Sequence, residues 1–247
     1  IPEGSHVIYS AHGVSPAVRE RAEKLKLKVL DATCPLVTKV HGEAQRYASK
    51  KHTIILIGHR DHVEVQGTVG EAPERIIVVG SVEEVPNLKI ENDDKIGYIT
   101  QTTLSIDDTA EIIDALKKRF PKIKGPTKDD ICYATQNRQN AVKALSREVE
   151  LVLVVGAQNS SNSVRLLEVA RATGVKARRI ESAAELKSEW LEGINNIGIT
   201  AGASAPEDIV QGIIKKLRQM SSSSQVRDLQ IVREDVTFAL PAVLRNH

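Results

Sequence analysis

Two cysteines stand in a chain of 247 residues, each just ahead of a helical stretch: Cys34 in Asp31-Ala32-Thr33-Cys34-Pro35 and Cys132 in Asp129-Asp130-Ile131-Cys132-Tyr133. The N–H groups at the start of a helix favour a thiolate, and thiolates ligate soft metals. A lone free cysteine is more often a small buried hydrophobe, but two at equivalent places in a repeat favour the ligand reading. No Cys-x-x-Cys or His-x-x-x-His spacing accompanies them, as zinc sites commonly have. One thiolate per repeat suits an iron–sulfur cluster on a shared axis: three repeats each give one cysteine, and one iron stays open to substrate.

Two polar loops are the other candidates. In His59-Arg60-Asp61-His62-Val63-Glu64-Val65-Gln66-Gly67-Thr68, a histidine two residues from a glutamate can hold an anion and deliver a proton at one place, unless the segment is a solvated charged loop. Gly156-Ala157-Gln158-Asn159-Ser160-Ser161-Asn162-Ser163 gathers hydroxyls, amides and backbone N–H groups where Asn162 starts a helix. That is a phosphate cradle, or else an ordinary helix cap with polar neighbours. Neither Gly-x-x-x-x-Gly-Lys nor Gly-x-Gly-x-x-Gly occurs, which argues against a nucleotide P-loop and a dinucleotide cofactor.

The elements that must position these residues are short apolar runs separated by helical stretches: Val7–Tyr9, Lys28–Leu30, Ile54–Ile57, Ile76–Val79, Ile96–Ile99, Leu151–Val155 and Ile197–Ile199. The alternation means α/β with mainly parallel sheets, and runs without a period of two mean strands covered on both faces. Ser15-Pro16, Cys34-Pro35, Ser105, Asn162 and Pro206 supply helix starts. Ligands of such sheets bind outside the carboxyl ends of the strands, where the candidate residues fall.

The cysteines also mark a repeat. Gly58 follows Cys34 by 24 residues and Gly156 follows Cys132 by 24, and later strands read Ile96-Gly97-Tyr98-Ile99-Thr100 and Ile197-Gly198-Ile199-Thr200. Thr100 lies 66 residues after Cys34, Thr200 lies 68 after Cys132, and Ser10 at the end of Val7-Ile8-Tyr9 takes the same place as these threonines. The spacing therefore expects a third cysteine about 57 residues ahead of Ile1, in a unit of which this sequence holds the end. The expected organisation is residues 1–33 as the remnant of a first α/β unit, 34–127 as a second, 128–220 as a third, and 221–247 as a tail returning to an earlier unit. In that tail the alternation of Val236, Phe238 and Leu240 expects a strand.

Composition narrows the function. Lys plus Arg number 34 against 32 Asp plus Glu, a net charge of +2, which gives no general claim on nucleic acid or acidic membranes. Aromatics are too sparse, at 3%, for stacking on bases to be the main binding mode. No apolar run nears the roughly 20 residues that cross a bilayer, and the opening residues do not read as a secretion signal. The expectation is a cytoplasmic protein whose thiols stay reduced.

Taken together, Ser10-Ala11-His12-Gly13-Val14-Ser15-Pro16, Asp31-Ala32-Thr33-Cys34-Pro35-Leu36-Val37-Thr38-Lys39-Val40-His41, the His59–Gly70 segment, Thr100-Gln101-Thr102-Thr103-Leu104-Ser105, Asp130-Ile131-Cys132-Tyr133-Ala134-Thr135, Asn159-Ser160-Ser161-Asn162-Ser163 and Thr200-Ala201-Gly202-Ala203-Ser204-Ala205-Pro206 closely resemble the hydroxymethylbutenyl diphosphate reductase family, from Ser10 to about Pro241. The resemblance implies three α/β units in pseudo-threefold arrangement around a [4Fe–4S] cluster with three cysteine ligands. By motif, Cys34 and Cys132 match cluster ligands, and His12, His62, Ser160, Ser161, Asn162 and Ser204 match the groups that hold the substrate diphosphate. Glu64 matches the proton donor and Thr102 the hydroxyl that orders the substrate's own OH. The implied activity is reductive dehydroxylation of an allylic diphosphate to isopentenyl and dimethylallyl diphosphates, the last step of the methylerythritol phosphate route, with electrons from a ferredoxin or flavodoxin. The family's first cysteine and a first-unit histidine have no counterpart in this sequence. Two other readings compete: a phosphate-ester-binding α/β enzyme without metal that uses Glu64 and His62, and a non-enzymatic remnant that binds diphosphate or a partner.

Overall fold

The structure, a computed structural model, describes residues 1–90, 94–221, 224–241 and 244. Two compact units divide the chain, the first comprising Ile1–Thr102, Ile106–Cys132 and Asp235–His247, the second Thr103–Ser105 and Tyr133–Glu234.

In the first unit, β1 (His6–Tyr9), α1 (Pro16–Lys24) and β2 (Lys28–Asp31) form one βαβ turn, with His6 opposite Lys28 and Tyr9 opposite Asp31 in parallel register. Helix α2 (Pro35–Ser49) then leads into β3 (Thr53–Ile57), α3 (Val63–Val69), β4 (Ile76–Val79), β5 (Ile96–Thr100) and α4 (Ile106–Arg119). The second sheet is parallel throughout in the order β4-β3-β5. Central β3 is apolar without alternation because both its faces are covered, and Val40, Ala44 and Tyr47 of α2 pack on Ile54, Leu56 and Ile99. Tyr47 lies against β5, and its hydroxyl donates to the Gly125 carbonyl at 2.8 Å. A Cβ at Gly97 would come within 2.8 Å of the Tyr47 ring. The glycine of the Ile-Gly-Tyr-Ile-Thr motif is there to admit that ring.

The second unit repeats the plan with α5 (Tyr133–Leu145), β6 (Leu151–Val155), α6 (Ser161–Ala172), β7 (Lys176–Ile180), β8 (Ile197–Ala201) and α7 (Glu207–Met220). Its sheet is parallel in the order β7-β6-β8. One face of β6 packs under α5 and α6 through Val142, Leu166 and Val169, the other on Ile180, Leu186 and Ile213. Gly198 plays the part of Gly97, since a Cβ there would meet Leu145 of α5 at 2.6 Å.

The α/β class with parallel sheets is as the sequence implies, and among the described residues no helix is long and apolar enough to cross a membrane. Four local expectations are corrected. Strand β7, Lys-Ala-Arg-Arg-Ile, gives no apolar run because it is an edge strand with one wet face. Residues 225–240 carry no strand, and Val236, Phe238 and Leu240 all lie exposed, so their alternation marks no buried strand face. Helix α6 begins at Ser161, one residue before Asn162, because the Ser160 hydroxyl is the cap that accepts from Ser163 N–H. The segment read as a loop around Glu64 is helix α3, opened by His62, whose Nδ1 accepts from Glu64 N–H at 3.2 Å.

Candidate functional site

In the first unit the candidate residues gather at the carboxyl ends of β3 and β5. Gln101 N–H donates to the Ile57 carbonyl at 2.8 Å, and the Gln101 side chain accepts from His59 N–H at 3.1 Å. The turn after β3 is thereby tied to the segment after β5. His62 sits where the chain enters α3, and Glu64 follows in its first turn.

Glu64 is 2% exposed. Thr102 N–H donates to Glu64 Oε1 at 2.7 Å and Thr102 Oγ1 donates to Oε2 at 2.9 Å. Burial away from water pushes the Glu64 carboxyl up to about 7, with the Thr102 hydrogen bonds pulling it down and Asp130 adding to the rise. A carboxyl that titrates near neutrality serves as a proton donor at cellular pH.

The imidazoles of His12 and His62 meet edge to face at 5.4 Å. Burial first, then the neighbouring His12 and His59, lowers His62 to about 4, so its ring is neutral at pH 7. With Nδ1 accepting from Glu64 N–H, the His62 proton is on Nε2, which is left to donate to an anion.

Both cysteines belong to this unit, and both are free and half-buried. Cys34 is the residue at the cap of α2, its N–H donating to the Ala11 carbonyl at 3.0 Å, one residue before His12. Cys132 N–H donates to the Thr102 carbonyl at 2.9 Å. Among the described residues, no three or more His, Cys, Asp or Glu side chains converge to hold a metal ion by themselves. Asp130, a residue the sequence reading passed over, braces this region. Its carboxylate accepts from Thr100 N–H at 2.9 Å and pairs with Lys39 of α2 at 2.9 Å, and Lys39 Nζ also donates to the Asp129 carbonyl at 3.0 Å.

In the second unit the cradle closes around the start of α6. The Ser160 hydroxyl accepts from Ser163 Oγ at 3.1 Å, and Ser161 Oγ lies 3.1 Å from Thr103 Oγ1. Asn162 is 7% exposed, and both its amide oxygen and its amide nitrogen are buried without a hydrogen-bond partner. An unpaired buried amide costs about 1–3 kcal/mol, so a water or other group that bonded it would be favoured there. Ser163, fully buried, fills the space left by Gly156 and Gly202, where a Cβ would collide with its Oγ; Gly156 also has φ +154. Ser204 lies exposed in the turn two residues past Gly202, between β8 and α7.

The fold is thus α/β, with a buried carboxyl raised toward neutrality, the adjoining rings of His12 and His62 and two free thiols at helix starts in one unit, and a polar loop of serines and asparagines at the start of α6 in the other. The LytB protein family model matches residues 1–218. The 4-hydroxy-3-methylbut-2-enyl diphosphate reductase of Azoarcus sp. is 52% identical over 246 residues, spanning 100% of this chain and 78% of that protein. A Mycobacterium bovis protein, 4-hydroxy-3-methylbut-2-enyl diphosphate reductase 1, is 49% identical over 247 residues and 73% of its own length. The solved structure of E-1-hydroxy-2-methyl-but-2-enyl-4-diphosphate reductase from Plasmodium falciparum superposes with a TM-score of 0.94 at 40% identity, covering 98% of this chain and 76% of that one. The chain belongs to the LytB family and is an enzyme of the oxidoreductase class.

Proposed function

We propose that this chain performs the reductive dehydroxylation of 4-hydroxy-3-methylbut-2-enyl diphosphate in the cytoplasm, on the methylerythritol phosphate route to isoprenoids. The allylic C–O bond breaks, two electrons and two protons enter, and water leaves with isopentenyl or dimethylallyl diphosphate as product. A ferredoxin or flavodoxin supplies the electrons.

The observation that carries this reading is Glu64, a buried carboxyl at about 7 held on both oxygens by Thr102. Dehydroxylation needs an acid that is protonated at neutral pH and turns the departing hydroxide into water. Glu64 fills that role, and Thr102 fixes its direction and presents a hydroxyl beside the substrate OH. His12, His62, Ser160, Ser161, Asn162 and Ser204 hold the diphosphate, with the unpartnered Asn162 amide as the donor still to be used.

The thiols of Cys34 and Cys132 fit a [4Fe–4S] cluster in donor type: both are free, both are half-exposed, and each stands at the start of a helix. When bound, the cluster would relay the donor's electrons one at a time and offer a Lewis-acidic iron. The sequence offers these two cysteines, and the third of the expected set has no candidate among its residues.

Anaerobic reconstitution with iron and sulfide, followed by a reduced-dye assay with the allylic diphosphate, tests the proposal. Brown colour together with turnover supports it. Turnover by a colourless protein would favour acid–base chemistry without metal, and neither colour nor turnover would favour a binding role.

A further inference from the structure

His41 takes no part in the chemistry proposed above, yet three elements of the first unit converge on its ring. It projects from the middle of α2, is 5% exposed, and has Nδ1 2.9 Å from Glu71 Oε1. Glu71, just past the end of α3, has its side chain almost wholly out of water, and its carboxylate also accepts from Arg19 of α1 and from Gln45 of α2. Burial lowers the His41 pKa, against the opposing pull of Glu71, so the ring is a neutral donor at Nδ1. Its Nε2 is buried without a partner.

The far edge of the ring is pressed into the turn that carries His12. A Cβ at Gly13 would lie 3.1 Å from His41 Cε1 and 3.3 Å from Nε2, and a Cβ at Gly67 of α3 would lie 3.6 Å from Cε1 and 3.5 Å from the Gly13 carbonyl. Just past the end of α3, Gly70 leaves room for Ser15, which a Cβ would overlap. Glycines on and after α3 thus let the His12 turn lie against the helix that carries Glu64 and is capped by His62. The turn itself is lightly anchored. It follows a two-stranded sheet with no buried residue, Gly13 has φ +74, and the backbone bonds are Gly13 N–H to Ser10 and Cys34 N–H to Ala11.

We propose that His41, clamped by Glu71 and Arg19, is a positioning residue: its ring is the spacer that sets the His12 turn against α3 and so fixes His12 relative to His62 and Glu64. The inference rests on the diphosphate reading only for its second readout below. Ring volume at position 41 decides the spacing, because a buried imidazole that is removed leaves a void into which the glycine turn can settle. Bonding at Nδ1 decides only the ring's tilt.

The test uses the whole chain. The nuclear Overhauser effect between the His12 and His62 rings is followed in wild type, His41→Ala, His41→Asn and Glu71→Gln, and inorganic diphosphate binding is measured by calorimetry on the same samples. His41→Asn keeps a donor near Nδ1 but not the ring, whereas Glu71→Gln keeps both sizes. The ring-to-ring signal should vanish in His41→Ala and His41→Asn and persist, weakened, in Glu71→Gln. Diphosphate affinity should fall about tenfold with the ring and much less with Glu71→Gln, the equivalent of one displaced donor. A ring-deleted variant that keeps its thermal unfolding transition and an unchanged His12–His62 signal overturns the proposal; if His41→Ala does not fold, His41→Asn decides. If the signal disappears on ring removal in a protein whose wild type never binds diphosphate, the spacer stands and the diphosphate reading falls.

Discussion

Thr102 holds both oxygens of Glu64, through its N–H at 2.7 Å and its hydroxyl at 2.9 Å, while its own carbonyl accepts from Cys132 N–H at 2.9 Å. One residue therefore connects the Glu64 carboxyl to a cysteine. Two hydrogen bonds to a carboxylate ordinarily lower its pKa, yet Glu64 is raised to about 7 because removal from water outweighs them. The balance leaves a carboxyl that is oriented as an anion would be and protonated as an acid must be.

The raised Glu64 has a stability signature. Between pH 4.5, its ordinary value, and about 7, the unfolded chain loses this proton while the folded one keeps it. Stability contributed by this group is full below that window and falls as pH rises through it, by about 3 kcal/mol in the limit of complete desolvation. Glu64→Gln should remove that slope and be the more stable protein above pH 7, since the amide can accept from Thr102 N–H and donate to its hydroxyl. Denaturant unfolding of both proteins at pH 5 and pH 8 checks this; parallel pH dependences would show that Glu64 ionises normally.

Thr102→Val removes the hydroxyl and keeps the shape and the backbone bonds. The lost hydrogen bond favoured the carboxylate, so the Glu64 pKa should rise further, by about 1–2 units. The alkaline limb of the pH–rate profile should move up with it. A limb that stays in place, or moves down, would mean that a different group controls it.

Asn162→Leu should separate stability from binding. Both polar atoms of the Asn162 amide are buried without partners, so an apolar side chain of similar volume should stabilise the free protein by about 1–3 kcal/mol. The same change should weaken inorganic diphosphate binding, and Ser161→Ala should do so more mildly. Calorimetry that finds Asn162→Leu binding as wild type does would remove the start of α6 from the anion site.

Much of the fold was legible because parallel strands covered on both faces read as apolar runs, as in Ile54–Ile57 and Leu151–Val155. The edge strand β7 was not, since its wet face carries Lys176 and Arg178 and the opposite face carries Arg179, whose guanidinium donates to the Gly156 carbonyl. Nor was α3, whose start has β-branched valines and a histidine cap in place of Ser or Asp. At the site, motif singled out Glu64 and Thr102, but the raised pKa of Glu64 depends on burial that no spacing encodes. The Asp130 brace and the His41–Glu71 pair join residues 91 and 30 positions apart, and only the folded chain brings them together.

The repeated glycines give a packing prediction. Gly97→Ala and Gly198→Ala should each destabilise by about 1–3 kcal/mol, because the added methyl meets Tyr47 or Leu145 within 2.8 Å. Gly42→Ala, in the middle of α2 with nothing within 4 Å of a new Cβ, should stabilise by about 0.5–1 kcal/mol. Thermal unfolding of the three variants reads both signs at once.

The central claim is that Glu64 supplies the proton that carries the hydroxyl away. Glu64→Gln, reconstituted alongside wild type to equal iron and sulfide content and assayed with a reduced dye, tests it most directly. The expected result is unchanged visible absorption and unchanged substrate affinity, with turnover lower by about 100- to 10,000-fold. Turnover within a few-fold of wild type would contradict the account and move the proton to another donor.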